Sequence, residues 1–107
     1  MVNKILTAAG IPYRRGRFTS PVKGCSYIVY MDDTATDGPD DKPTGLIWHD
    51  ITVELYEFKP DDAAEAALEA AIAASGLQYT KQDRYWLQTE QMYQLIYEFR
   101  YKEKRRT

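Results

Sequence analysis

Between Gly45 and Gly76 the chain changes its hydrophobic period once, abruptly, and that change limits what the rest can be. In "GLIWHDITVELYEF", Ile47, His49, Ile51, Val53 and Leu55 alternate with Trp48, Asp50, Thr52, Glu54 and Tyr56. A period of two puts the first set on a core face and the second on a largely polar one. "KPDDAAEAALEAAIAASG" follows directly with a helical period. Pro60 at the start, Asp61 or Asp62 as cap, acidic residues in the first turn and Ser75-Gly76 at the end predict a helix of about four turns. Its inner stripe is Ala64, Ala67, Leu68, Ala71, Ile72 and Ser75. Small side chains let such a helix lie close to a sheet, and burying the two large ones contributes about 1.5 to 3 kcal/mol each.

The flanks extend this unit. In "VNKILTAA", Val2, Ile5, Leu6 and Ala9 share a helical face, and Gly10-Ile11-Pro12 supplies a stop. "YRRGRF" predicts an extended segment or edge strand. "CSYIVYMD" predicts a central strand, with Tyr27, Val29 and Met31 on one face and Ile28 and Tyr30 on the other. "LQYTKQDRYWLQT" alternates more weakly and offers a break at "KQDR". "EQMYQLIYEFRY" sets Tyr93, Leu95, Tyr97, Phe99 and Tyr101 against Gln94, Glu98 and Arg100, and can form a hairpin with its predecessor near Thr89-Glu90. The expectation is a single α+β domain over residues 1–107. It has an antiparallel or mixed sheet of four to five strands and two helices on one face. Residues 32–44 form a polar loop and residues 102–107 a frayed basic tail.

At 107 residues the chain supports one core. Its 14 basic and 16 acidic residues give a net charge of -2, so the molecule as a whole has no electrostatic drive towards nucleic acid or an anionic membrane. One cysteine, Cys25, leaves no internal disulfide, and with one histidine, His49, it removes the usual zinc clusters. The first residues carry neither a signal-peptide core nor an apolar run of about 20 residues, so production in the cytoplasm and no membrane partner are expected.

The search for chemistry finds no catalytic set and no cofactor motif. His49 falls on the apolar face of its strand, where packing and hydrogen bonding are its ordinary role, and Asp50 points to the opposite face. A Cys25–His49 dyad has nothing to demand it. Glu65 and Glu69, one helical turn apart, read as a solvated helix face. No phosphate-binding, dinucleotide or G-x-S-x-G motif is present.

Charge is concentrated instead. "MDDTATDGPDDKPTG" holds Asp32, Asp33, Asp37, Asp40 and Asp41. Laid on the calcium loop D-x-[DN]-x-[DN]-G-x5-E, it puts Ala35 at the third position and Thr44 at the closing one, so no metal is expected. The aspartates then face solvent or a partner. Arg14, Arg15 and Arg17 precede the central strand, and Arg100, Lys102, Lys104, Arg105 and Arg106 end the chain. These read as solubilising edge charge, or as a phosphate-facing or acid-facing patch that meets residues 32–41 of a neighbouring copy. Trp48 and Trp86, within a set of nine tyrosines and three phenylalanines, complete the candidate interaction residues.

The layout "ILTAAGIPYRRGRFTSPVKGCSYIVYMDD", acidic loop, "HDITVELYEFKPD", Ala/Glu helix, "GLQYTKQDRYWLQTEQMYQLIYEF" and short basic end resembles the small tail-completion proteins of phages and prophages. These are similar to tail terminator and tail-to-head joining proteins. The resemblance implies a non-enzymatic virion protein of the tail, assembled in the bacterial cytoplasm. Its copies form a ring, commonly a hexamer, on the end of the tail tube and dock it to the head connector. It implies partners in the major tail tube protein and the head-completion protein, with DNA passing through unread. The competing class is a small binding module that offers an aromatic sheet face, through Tyr85, Trp86, Tyr93, Tyr97 and Tyr101, to single-stranded nucleic acid or a protein.

Overall fold

The structure, a computed structural model, describes residues 1–16, 25–36 and 46–104. In chain order its elements are α1 (Val2–Ala9), β1 (Tyr13–Arg15), β2 (Tyr27–Thr36), β3 (Leu46–Glu57), α2 (Asp62–Ala74), β4 (Tyr79–Lys81), β5 (Tyr85–Leu87) and β6 (Met92–Lys104). The strands make one sheet in the order β1-β2-β3-β6-β4, with β5 also on β6. β1 runs parallel to β2 and every other pair is antiparallel. This is an α+β fold with a mixed sheet. It has six strands because "LQYTKQDRYWLQT" breaks at residues 82–84 and lies along β6 as two short pieces.

Both helices cover the same face. Val2, Ile5, Leu6 and Ala9 of α1 and Ala64, Leu68, Ala71 and Ile72 of α2 pack on Ile28, Tyr30, Ile51, Val53, Leu55, Leu95, Tyr97, Phe99 and Tyr101. Gly10 ends α1 in the left-handed region, at φ 73°, where a residue without a Cβ is least strained, and its N–H donates to the Thr7 carbonyl. Asp61 caps α2, its Oδ1 accepting the Ala64 N–H at 3.0 Å. The opposite face of the sheet is mostly polar and, among the described residues, carries a small apolar cluster of Tyr27, Val29 and Met92, with Tyr56 packed against it.

β5 and β6 are joined at Leu87–Met92 by a turn over residues 88–91, where Gln91 takes φ 56° and its N–H donates to the Leu87 carbonyl. The turn falls on the expected Thr89-Glu90. Two boundaries differ from expectation. β2 continues to Thr36, so Asp32 and Asp33 stand on a strand rather than in a loop, and β6 continues to Lys104. The cause is mutual pairing: residues 32–36 oppose residues 47–51 of β3, and residues 102–104 oppose residues 46–48. A complete hydrogen-bond ladder holds polar side chains in a strand that their own propensity does not favour. Arg17, Asp37, Asp40, Asp41 and residues 105–107 lie outside the described residues.

Leu68 is fully buried and is one of two large side chains on the inner face of α2. Leu68→Ala is therefore expected to lower stability by about 2 to 5 kcal/mol, read as a reduced urea midpoint with an unchanged slope.

Candidate functional site

Charged and aromatic side chains meet at three places. The first lies between α2 and the β4–β5 edge. Glu57, the last residue of β3, is fully buried, and its carboxylate accepts from Arg84 Nε at 3.1 Å and from the Asp61 N–H at 3.2 Å. Arg84, in the break between β4 and β5, also donates through Nη2 to Glu65 and lies 3.6 Å from Asp62. Lys81 donates to Glu65 at 3.1 Å and to Glu69 at 2.8 Å. The hydroxyls of Tyr97 and Tyr79 donate to Glu69 as well, at 2.8 and 3.2 Å. Glu65 and Glu69 are thus pins between helix and sheet, not a solvated face. Cations in the strand break and glutamates one turn apart on the helix were the available signal, but nothing local pairs them.

Burial, and then the hydrogen bond and charge of Glu65, push the Glu57 carboxyl up to about 7, against the opposing pull of Arg84 and the Asp61 N–H. Burial also acts upward on Glu65, but hydrogen bonds with Glu57, Arg84 and Lys81 outweigh it and hold that carboxyl below the usual range. Of the two, Glu57 is therefore the carboxyl that takes up a proton as pH falls through neutrality, and that proton can be donated to Glu65. Burial, then the bond to Glu69, raises the Tyr97 hydroxyl far above its ordinary value, so it remains a donor.

The second place is the helix-side face where β2, β3 and β6 run on. His49 stacks on Tyr101 with ring centres 4.7 Å apart. Its Nδ1 lies 2.9 Å from Asp32 and its Nε2 lies 2.7 Å from Glu103. The histidine is packed and hydrogen-bonded, as expected for its face, and Asp50 does point away from it. The partner Asp32 comes from the neighbouring strand and was not foreseen. Arg15 donates to the Asp32 backbone carbonyl at 3.3 Å, which joins two of the sequence candidates. Arg14 stands beside Val29 on β1 and is exposed.

The third place is on the opposite, open face of the same strands. Arg100 and Lys102 lie over the Trp48 ring, at 4.0 and 4.4 Å from its centre, and Arg100 Nε bonds Asp50 at 2.8 Å. Asp33, exposed, is the cross-strand partner of Asp50. Trp86 is remote from this group: it tilts against Tyr93 at 4.8 Å near the β5–β6 turn. Tyr97 and Tyr101, offered by the sequence as stacking residues, are buried under the helices. Among the described residues, no group of three or more His, Cys, Asp or Glu side chains is arranged to hold a metal ion, and no helix is long and apolar enough to cross a membrane.

The fold is similar to that of a chain in the virion of a native gene transfer agent particle, with a TM-score of 0.58 over 94% of this chain and 84% of that one. Sequence identity is 15%, so the likeness shows a shared α+β architecture. No family model matches the sequence, and no curated protein matches it.

The proton on Glu57 sets a pH dependence. Folding raises this carboxyl from 4.5 to about 7, so between those values the folded state binds more protons and stability falls as pH rises. Glu65, lowered in the folded state, acts oppositely: its contribution is present above its unfolded value and is lost as pH falls through its folded one. Denaturant titrations are expected to show lower stability at about pH 8 than at about pH 5.5, each unit of displacement counting roughly 1.4 kcal/mol. Glu57→Gln, which keeps a donor towards Glu65 and an acceptor for Arg84, should flatten that decline. His49→Ala should lower stability by about 1 kcal/mol, through the lost ring stack and hydrogen bonds.

Proposed function

We propose that this chain is a structural subunit of a phage-like virion, acting as a tail terminator or head–tail joining protein. Its copies form a ring, commonly a hexamer, that caps the tail tube and docks it to the head connector, while DNA passes through the lumen without being read. The observation that carries this reading is the fold shared over nearly the whole chain with a subunit of a gene transfer agent virion. The layout of the sequence, which resembles tail-completion proteins along its length, points the same way. A subunit of this kind needs surfaces more than a cavity. Its exposed charges and aromatic residues, Asp33, Arg15, Arg100, Lys102 and Trp86 among them, sit with the half-buried Trp48 on an open face and free edges.

A second reading, a small module that binds single-stranded nucleic acid, is favoured by one arrangement: Trp48 beneath Arg100 and Lys102, an aromatic plane with two cations. It predicts salt-sensitive binding of a single-stranded oligonucleotide that Trp48→Ala abolishes.

The terminator reading is tested by adding the purified protein to polymerised phage tail tube protein. Electron microscopy is expected to show rings seated on tube ends and tubes of limited length. A protein that stays monomeric at every concentration and leaves tube length unchanged overturns it.

A further inference from the structure

The sheet is longer than its cover. β6 has thirteen residues, about 40 Å of strand, whereas α2, also thirteen residues, is about 20 Å long. The edge strands are shorter still: β1 pairs only with Ile28, Val29 and Tyr30, and β4 only with Tyr97, Glu98 and Phe99. Beyond them runs a ribbon of three strands, residues 32–36, 46–50 and 100–104, with no strand beside either outer edge among the described residues. A groove of about 700 Å³, lined by Gly76, Gln78, Thr80, Glu98 and Arg100 among others, opens where β4 stops.

Backbone alternation shows which groups these edges present. Tyr30 accepts from Gly16 on the β1 side, so two residues further on Asp32, and then Thr34, carry their N–H and C=O to that side. Ile96 accepts from Gln82 on the β4 side, so Lys102 presents its own pair there. Such an edge is a template for another strand.

The two edges also differ in charge. On the open face, Asp33 has no cation partner and Lys102 no carboxylate partner among the described residues, while Arg100 and Asp50 between them satisfy each other. Two β2 edges brought together set aspartate against aspartate, and two β6 edges set lysine against lysine. One edge of each kind sets acid against base.

We infer that the occupant of this ribbon's β2 edge is the β6 edge of a second copy of the same chain. The contact is head-to-tail, the kind that closes into a ring when the rotation between copies allows it. β2 and β6 run in the same direction within one molecule, since each is antiparallel to β3. Copies related by rotation about an axis along the strands therefore meet as a parallel pair, with Asp33 and Lys102 on one face. This deepens the ring reading of the preceding section and rests on it for closure, not for the pairing itself.

Sedimentation over a wide concentration range, with electron microscopy on the same samples, tests it. The wild type is expected to form oligomers that weaken with salt. Asp33→Lys and Lys102→Glu, each alone, should lose association at least about tenfold, because each makes both edges alike in sign. An equal mixture of the two should recover it, since their unlike edges alternate. Thr34→Pro, which deletes an outward N–H at an exposed position, should stay folded with an unchanged melting curve and remain monomeric. Oligomers indifferent to all three variants overturn the edge pairing while leaving the terminator reading standing. Edge-paired oligomers that ignore tail tubes overturn the terminator reading and keep the pairing. A Thr34→Pro variant that self-associates normally but no longer joins a second virion protein gives the edge to that protein and overturns the inference.

Discussion

The pairing of β3 with β6 is the contact on which the rest of the molecule depends. Every residue of β3, from Leu46 to Glu57, has a partner on β6, from Lys104 to Tyr93. These two strands supply Ile51, Val53, Leu55, Leu95, Tyr97, Phe99 and Tyr101 to the core beneath the helices. They also bring together residues nearly half a chain length apart, so the loop-closure entropy for the whole segment between them is met by this one ladder. β2 adds on one side and the broken β4–β5 edge on the other, and neither has a core of its own. Loosening the central pair would uncover both faces of the sheet at once.

The layer between α2 and the sheet combines two kinds of contact. Where Leu68 and Ile72 reach the strands, the contact is apolar and fully dry. Beside them on the helix, Glu65 and Glu69 replace side-chain bulk with directed bonds to Lys81, Arg84, Tyr79 and Tyr97. Alanine-rich faces slide with little loss of packing, because few side chains interlock. Directed ionic bonds remove that freedom, and among the described residues no buried side-chain polar atom is left without a partner. The burial of Glu57 is tolerable on this account, since a proton or a guanidinium always faces it.

Much of this architecture was legible in the sequence. The period change at Pro60, the cap at Asp61, the stripe of α2 and the break at "KQDR" are all local signals, and each corresponds to an element. The far end of β2 was not legible. "DDTAT" has no apolar alternation, and its strand conformation is imposed by residues 47–51 opposite. The pairing of Asp32 with His49 was hidden for the same reason, since a contact between neighbouring strands appears only once their register is known. Glu65 and Glu69 followed a sound local rule that tertiary contacts override, with their cations lying 12 to 19 positions further along the chain.

Arg15 has a consequence for the edge that β2 presents. Its guanidinium rests on the Asp32 carbonyl, on the same side of β2 that an added strand would occupy. A side chain in that position acts as a removable stopper. It occupies an acceptor on that edge, yet it is exposed and held by a single long bond. On the proposed edge pairing, one residue would both shield this edge and yield to a neighbour, because a single side-chain bond is small against a complete row of backbone bonds.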